Sequence, residues 1–546
     1  MSTHYLNDAL TPATQREALP GQVANSGGGF SFAVDDWTRL DRFLVLGTEG
    51  GSYYATQRTL TRENAAVVER CLAADGKRTV RAIVEISKAG RAPKNDQAIL
   101  ALAMAARKGD DQTRAAAYAA LPAVCRTGTH LYMFVNFATQ MGGWGRGLRR
   151  AVGAWLNERP AQDAAYQAVK YQQRDGWSMR DLLRLSHPTP RSAAHGVLYD
   201  FITNGEIDDA SVAEYDELNI LMATQAVKRA STVTEVVDLI RANNLPREVV
   251  PTQWLNKVEV WEALLAKMPM GAMLRNIAKM TRVGLIAPLS QATELVTTRL
   301  ANQNAITKAR LHPLAILNAQ KTYQSGHGQR GGGSWSPVPA VIDALDAAFY
   351  LSFGSIKPTG KAHLLALDIS ASMTWSKVAN SAFTPREASA AMALVTAAVE
   401  PRYHVVAFSD GIRDAGITAK MRLSDAIAKI ERMPASNTDC ALPMIWAMDN
   451  KAKVDGFVIY TDSETNGWRM HPSEALRAYR KQSGIDARSV VVGMIANQFT
   501  VADPNDSGML DVVGFDTSAP SVISDFIAGG KTANETDDSD DGEESE

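Results

Sequence analysis

Asp368, Ser370 and Ser372 stand at alternate positions directly after the apolar run His363-Leu364-Leu365-Ala366-Leu367. At the tip of a strand, the spacing Asp-x-Ser-x-Ser turns one carboxylate and two hydroxyls toward a shared point, and hard oxygen donors of this kind suit Mg²⁺. Thr438 of Asn437-Thr438-Asp439 offers another hydroxyl. Asp462 closes a second apolar run, Phe457-Val458-Ile459-Tyr460-Thr461. Asp368, Ser370, Ser372, Thr438 and Asp462 are therefore a candidate site for a divalent cation. A lone Asp-x-Ser-x-Ser also fits an ordinary strand followed by a polar turn, so the surrounding elements decide between the two.

Four apolar runs, 363–368, 404–408, 455–461 and 489–496, fit parallel strands of a doubly wound sheet, each separated from the next by helically patterned sequence. Thr384-Pro385-Arg386-Glu387 spells a capping box with Pro at the first helical position. Sheets of this type bind ligands at strand ends and in the loops that follow. The ligand set and its order resemble the metal-ion-dependent adhesion site of von Willebrand factor A domains. That resemblance implies one divalent cation, with Mg²⁺ the expected metal, and an open position for an acidic group of a partner. Two departures from the family pattern are Ala371, where a glycine is expected, and Ser436-Asn437, where a glycine pair is common; neither removes a ligand.

The chain of 546 residues is 45% hydrophobic, enough for large cores, with length for several domains or one extended array. Its three cysteines, Cys71, Cys125 and Cys440, are too scattered for a disulfide framework or a zinc knuckle, and a reducing interior fits. No apolar stretch approaches the ~18 residues of a membrane span, and the first 30 residues lack a signal-peptide core. A soluble, cytoplasmic protein is expected. The formal net charge of −2 hides an asymmetry. Residues 1–360 carry 40 Lys and Arg against 32 Asp and Glu, a surplus of 8, whereas residues 361–546 carry 17 against 27, a deficit of 10. Residues 51–200 hold 22 basic and 12 acidic side chains, which favours polyanionic partners. The last twelve residues, from Glu535, read as a disordered acidic tail.

Residues 30–320 show helical spacing in segments such as Gln97 to Arg107, Leu131 to Met141, Gly147 to Asn157, Ala161 to Gln173, Val233 to Asn243 and Val260 to Met268. With little self-similarity between segments, a divergent helical-repeat array is expected. A loop at 324–337 and a helix from Val341 to Phe353 then lead into the sheet domain. Several phrases in this half are similar to the TROVE module: Asp36 to Gly47, Gly143-Trp144-Gly145-Arg146, Arg174-Asp175-Gly176-Trp177-Ser178, Lys267-Met268-Pro269-Met270 and Ala344 to Tyr350. A TROVE module followed by a von Willebrand A domain resembles the Ro family in its bacterial form, over about residues 20 to 527. The resemblance implies a ring-like array of HEAT-like helices, closed by a doubly wound A domain and acting as a monomer. It implies binding of small noncoding Y-type RNA on the outer surface and of single-stranded 3′ ends of misfolded RNAs in a central hole.

The residues offer their own support. Lys170 and Arg174, at i and i+4, would share one helix face with Tyr166 and form a phosphate clamp. His187 follows Arg180, Arg184 and Ser186 at the end of a helix expected over Ser178 to Leu185, and His can stack on a base or bond a phosphate. Lys170, Arg174 and His187 match the family's Y RNA patch. Arg146, Arg149 and Arg150 make a second basic face, preceded by Asn136 and Gln140, and Arg275, Asn276 and Lys279 form a similar cluster. By resemblance some of these line the hole, where amides and cations hold a strand without reading its sequence. For each cation alone, a solvated surface position is the plain alternative.

Enzyme readings find little support. Gly326-His-Gly328-Gln-Arg-Gly331 fits a dinucleotide fingerprint but follows a helix, and Gly530-Lys531-Thr532 lacks the first glycine of a phosphate-binding loop because Asp525 stands there. No nucleophile or general base is identified, so a non-enzyme is expected. The sequence divides into an arm (1–28), a TROVE array (29–360), an A domain with the metal site (361–527) and an acidic tail (528–546). The expected role is an RNA scaffold in quality control, processing or decay, with an exoribonuclease or other protein engaging the metal site and neither DNA nor a membrane as partner. The competing reading is a metal-dependent protein-interaction scaffold that binds no RNA.

Overall fold

The structure, a computed structural model, describes residues 14–48, 57–328, 333–353, 356–378 and 381–529. The acidic tail, the Gly530-Lys531-Thr532 segment and part of the Gly326–Gly331 stretch lie outside the described residues. The chain packs as two units, one of residues 65–352 and one joining 1–64 to 353–546.

The second of these is built on a six-stranded sheet. Strands Ala362–Asp368, Arg402–Phe408, Gly456–Thr461, Arg488–Gly493 and Met509–Val513 run parallel, and Ile412–Asp414 pairs antiparallel at one edge. Strand Ala362–Asp368 is central, flanked by Arg402–Phe408 and Gly456–Thr461. The four strands expected from sequence are present; the two additional ones are short or partly exposed and leave only a weak alternating pattern. Leu364, Ala366, Phe457, Ile459 and Val491 supply a fully buried side of the core. Such strands, covered on both faces, read as continuous apolar runs. Helix Pro385–Val399 opens with the expected capping box, in which Thr384 Oγ1 accepts from Glu387 N and the Glu387 carboxylate accepts from Thr384 N at 2.7 Å.

The N-terminal segment belongs to this unit. Hairpin strands Gln22–Ala24 and Phe30–Ala33 form a three-stranded antiparallel sheet with Phe499–Thr500. In helix Asp36–Leu46, Arg42 is completely buried; it donates to both Asp511 oxygens at 2.8 and 2.6 Å and to Phe499 O at 2.9 Å. Residues 29–48 and 57–64, grouped by sequence with the helical array, thus pack on the sheet domain. A buried guanidinium tied to a carboxylate 469 positions away leaves no local sequence pattern.

The other unit is almost wholly helical. Most expected helices appear, Val233–Asn243 with the expected ends and Asp96–Lys108, Gly128–Gly142, Arg146–Asn157, Val258–Lys267 and Pro339–Leu351 with ends shifted by one to a few residues. The end of its first helix meets the segment before helix Pro313–Ser325, because Arg310 Nε donates to Lys88 O at 2.6 Å and the His312 ring reaches Arg91 O at 3.0 Å. The fold is a helical array followed by a doubly wound α/β domain.

Candidate metal centre and nucleic-acid interface

Asp368 ends the central strand and Asp462 follows its neighbour Gly456–Thr461. The chain leaves one of these strands toward one edge of the sheet and the other toward the opposite edge, so the two carboxylates flank the crevice where such sheets take ligands. Asp368 Oδ1 accepts from Ser370 N at 2.8 Å, and Oδ2 accepts from Thr461 Oγ1 at 2.6 Å. Ser370 and Ser372 hydroxyls are 3.1 Å apart. The Thr438 loop joins them, since Ala371 N donates to Ser436 O at 3.2 Å and Thr438 N donates to Asn466 Oδ1 at 3.2 Å. All five candidate ligands are buried.

Two buried carboxylates side by side are unfavourable without a counter-charge. Burial, then the neighbouring Asp462, pushes the Asp368 carboxyl up to about 7; burial likewise raises Asp462, and burial followed by the Asp462 charge raises Glu464 to about 8. Asp462 Oδ2 is buried with no hydrogen-bond partner. An orphaned oxygen beside a second carboxylate, in a site that also holds the paired Ser370 and Ser372 hydroxyls, fits a small hard cation.

The cations of the helical unit are placed differently from the sequence reading in one respect. Helix Ala161–Lys170 stops at Lys170, so Arg174 does not extend the face of Lys170 and Tyr166. It sits instead on a two-stranded hairpin, Gln173–Arg174 with Trp177–Ser178, turned by Asp175 (φ 52°) and Gly176 (φ 80°). Asp-Gly is the favoured pair for such a turn, a signal outweighed by the apparent helical period. Lys170 Nζ remains with Tyr166, 3.2 Å from its hydroxyl and 5.1 Å from its ring centroid.

The hairpin is stapled to its neighbours by an aromatic pair. Trp144 and Trp177 stack with centroids 5.9 Å apart, and Trp144 Nε1 donates to Leu185 O at 2.9 Å. This joins the loop entering helix Arg146–Asn157, the hairpin of Arg174, and the end of helix Met179–Ser186, whose capping residue His187 is exposed with φ 45°. Arg146, Arg149, Arg150, Arg180 and Arg184 are exposed, and no carboxylate lies within ion-pair distance of them among the described residues. The sequence phrases similar to the TROVE module contain both tryptophans without giving them a role; an aromatic beside unpaired arginines is the signal that marks them.

Gln140 is exposed near the end of its helix, 3.3 Å from Asn136 Oδ1. Arg275, on helix Met270–Arg282, lines a pocket of about 840 Å³ with Arg310, His312 and Tyr323. Lys279 donates to Asn256 Oδ1 at 2.8 Å, and burial, then Arg282 and Arg247, lower its pKa.

An array of helices bearing this basic surface, joined to an α/β domain with an Asp-x-Ser-x-Ser site, defines a TROVE and von Willebrand A class of protein. A family model described as TROVE domain matches residues 23–330, and one described as Ro60 vWA domain matches residues 362–527. The chain belongs to the Ro family. It is 39% identical over 527 residues to RNA-binding protein RO60 of Deinococcus radiodurans, covering 96% of this chain and 98% of that protein. It is 34% identical over 593 residues to RNA-binding protein RO60 of Caenorhabditis elegans, covering 95% and 92%. The crystal structure of the Deinococcus radiodurans RO (RSR) protein matches with a TM-score of 0.68 and 38% identity, over 91% of this chain and all of that one.

Proposed function

We propose that the chain is an RNA-binding scaffold, not an enzyme, whose helical unit holds small structured RNA of the Y type and takes single-stranded 3′ ends of misfolded RNAs. The observation that carries this is the surface bound together by Trp144 and Trp177: exposed Arg146, Arg149, Arg150, Arg174, Arg180, Arg184 and His187, five of the arginines without an acidic partner. Cations placed like this neutralise phosphates, and tryptophan faces accept bases. The relatives' shared name, RNA-binding protein RO60, supports the same reading. Lys170, Arg174 and His187 would serve the Y-type RNA. Arg146, Arg149, Arg150, Gln140, Arg275 and Lys279 would serve the single strand.

The Asp368 site, by this proposal, holds Mg²⁺ through Asp368, Ser370, Ser372, Thr438 and Asp462. When bound, the ion would offer residual positive charge to a partner's carboxylate. The A domain would thereby recruit a protein such as an exoribonuclease, leaving catalysis to that partner.

Salt tests the RNA assignment. Affinity for a structured RNA should fall steeply between low and physiological salt, and Lys170→Ala with Arg174→Ala should flatten the log–log slope by about two at most. An affinity indifferent to salt, or a double variant with an unchanged slope, would count against it. Nuclease-resistant protein capture lost with Asp368→Ala, without any RNA binding, would favour the protein-only scaffold instead.

A further inference from the structure

We infer that the N-terminal segment Gln15–Ser31 is a working part of the metal centre, a positioning strap without which the sheet domain's loops do not hold their cation ligands in place. The inference rests on the metal reading above and adds residues 337 or more positions before the first ligand.

Gln15 is fully buried, and its side-chain amide makes four hydrogen bonds. Nε2 donates to Asp439 Oδ1 at 2.6 Å and to Met470 O at 3.1 Å; Oε1 accepts from Thr465 Oγ1 and, at 3.3 Å, from Gly467 N. Asp439 is the residue after Thr438, and Thr465 lies three residues past Asp462. One side chain therefore clamps the loops that carry two of the five ligands. An amide suits this task because it presents two donors and an acceptor oxygen with two lone pairs.

Further bonds run along the strap. Asn25 Nδ2 donates to Thr465 O at 2.7 Å, Ser31 Oγ donates to Ser463 O at 2.7 Å, and Asn466 Nδ2 donates to Gly27 O at 2.8 Å. Ser26 N and Gly27 N both donate to Glu464 Oε2, at 2.7 and 3.2 Å. Residues 463–466 all bond the strap. The approach is too close for ordinary side chains at Gly29, where a Cβ would stand 2.1 Å from Thr465 O, and at Gly467, where it would stand 2.6 Å from Asp439 Cγ. Ser463 itself has φ 63°, a left-handed conformation that non-glycine residues keep only when their surroundings enforce it. The strap supplies that enforcement directly after Asp462.

Partners that orient metal ligands from behind typically change cation affinity about 10–100-fold when removed. The test is Mn²⁺ titration of the full chain, freed of metal by chelation and read from the electron paramagnetic resonance signal of free Mn²⁺. Gln15→Ala and Asn25→Ala should each weaken Mn²⁺ binding about tenfold or more. Tyr479→Phe is the control, since it removes the phenol bonds to Val454 N and Ala452 O at the far end of strand Gly456–Thr461. It should lower the melting temperature while leaving Mn²⁺ affinity unchanged. Folded strap variants that bind Mn²⁺ like the wild type would overturn the inference, as would a control that loses as much affinity as they do. Should Gln15→Ala fail to fold, Asn25→Ala decides alone. A wild type that takes up no Mn²⁺, or an Asp368→Ala variant that takes up as much, overturns the metal reading itself and the strap with it.

Discussion

At the scale of single residues, the Asp368 centre is a balance between desolvated charge and the groups that answer it. Asp368 accepts two hydrogen bonds, whereas Asp462 Oδ2 accepts none. The uncompensated charge predicts a crossover. In chelator, Asp368→Asn should be as stable as the wild type or more so, because it removes one of two adjoining buried charges. With Mg²⁺ at about a hundred times its Kd the wild type should gain ~2.7 kcal/mol and the variant nothing. Calorimetric melting with and without Mg²⁺ checks both halves, and an equal gain by both proteins would remove Asp368 from the ligand set. These ligands were legible in sequence because a strand end and a fixed Asp-x-Ser-x-Ser spacing define them locally. Gln15 and Asn25 were not, since amides bonding partners more than 400 residues away have no periodicity to betray them.

At the scale of elements, the hairpin at Gln173–Ser178 shows how a short turn can redirect a functional side chain. The apolar period of Ala161 to Val169 continues plausibly into Tyr171, and a helix drawn through to Gln173 aligns Arg174 with Lys170. The backbone instead releases at Lys170 and turns through Asp175 and Gly176, both at positive φ. Gly176→Val should strain that turn and displace Arg174. RNA affinity should then fall as far as with Arg174→Ala, by about 1.5–3 kcal/mol for a lost charge-assisted phosphate contact, with the helix content in circular dichroism unchanged. Retention of full affinity would mean that the hairpin does not present the arginine to RNA. Elsewhere local rules were faithful: the Thr384 capping box forms, and Val233–Asn243 has the limits its pattern suggests.

At the scale of the whole molecule, each half carries its own electrostatic character and its own response to solution conditions. The helical unit contains His130, half-buried at its helix start, with an Nδ1 atom that has no partner. Burial first, then Arg126, lowers its pKa from 6.5 to about 4. The unfolded chain therefore takes up this proton before the folded one. Stability from the neutral imidazole is complete above about 6.5 and declines as pH falls toward 4, by about 2 kcal/mol or less. Melting from pH 7 to 4.5 should show that loss in the wild type and less of it in His130→Gln; identical pH profiles would remove His130 from the account. The division of the chain was only partly legible. The change from helical to strand patterning near residue 360 is plain, but the return of residues 14–48 to the sheet domain depends on long-range pairs such as Arg42 with Asp511.

The central claim, that the basic helical surface exists to hold RNA, is tested most directly by ultraviolet crosslinking of the tagged protein in its own cells, with sequencing of the attached RNA and mapping of the crosslinked peptides. The account predicts one abundant structured RNA, together with scattered RNAs attached near their 3′ ends, and crosslinks concentrated in peptides spanning Trp144, Lys170, Arg174, Trp177 and His187. RNA recovered only at background, or crosslinked peptides confined to the sheet domain, would contradict it.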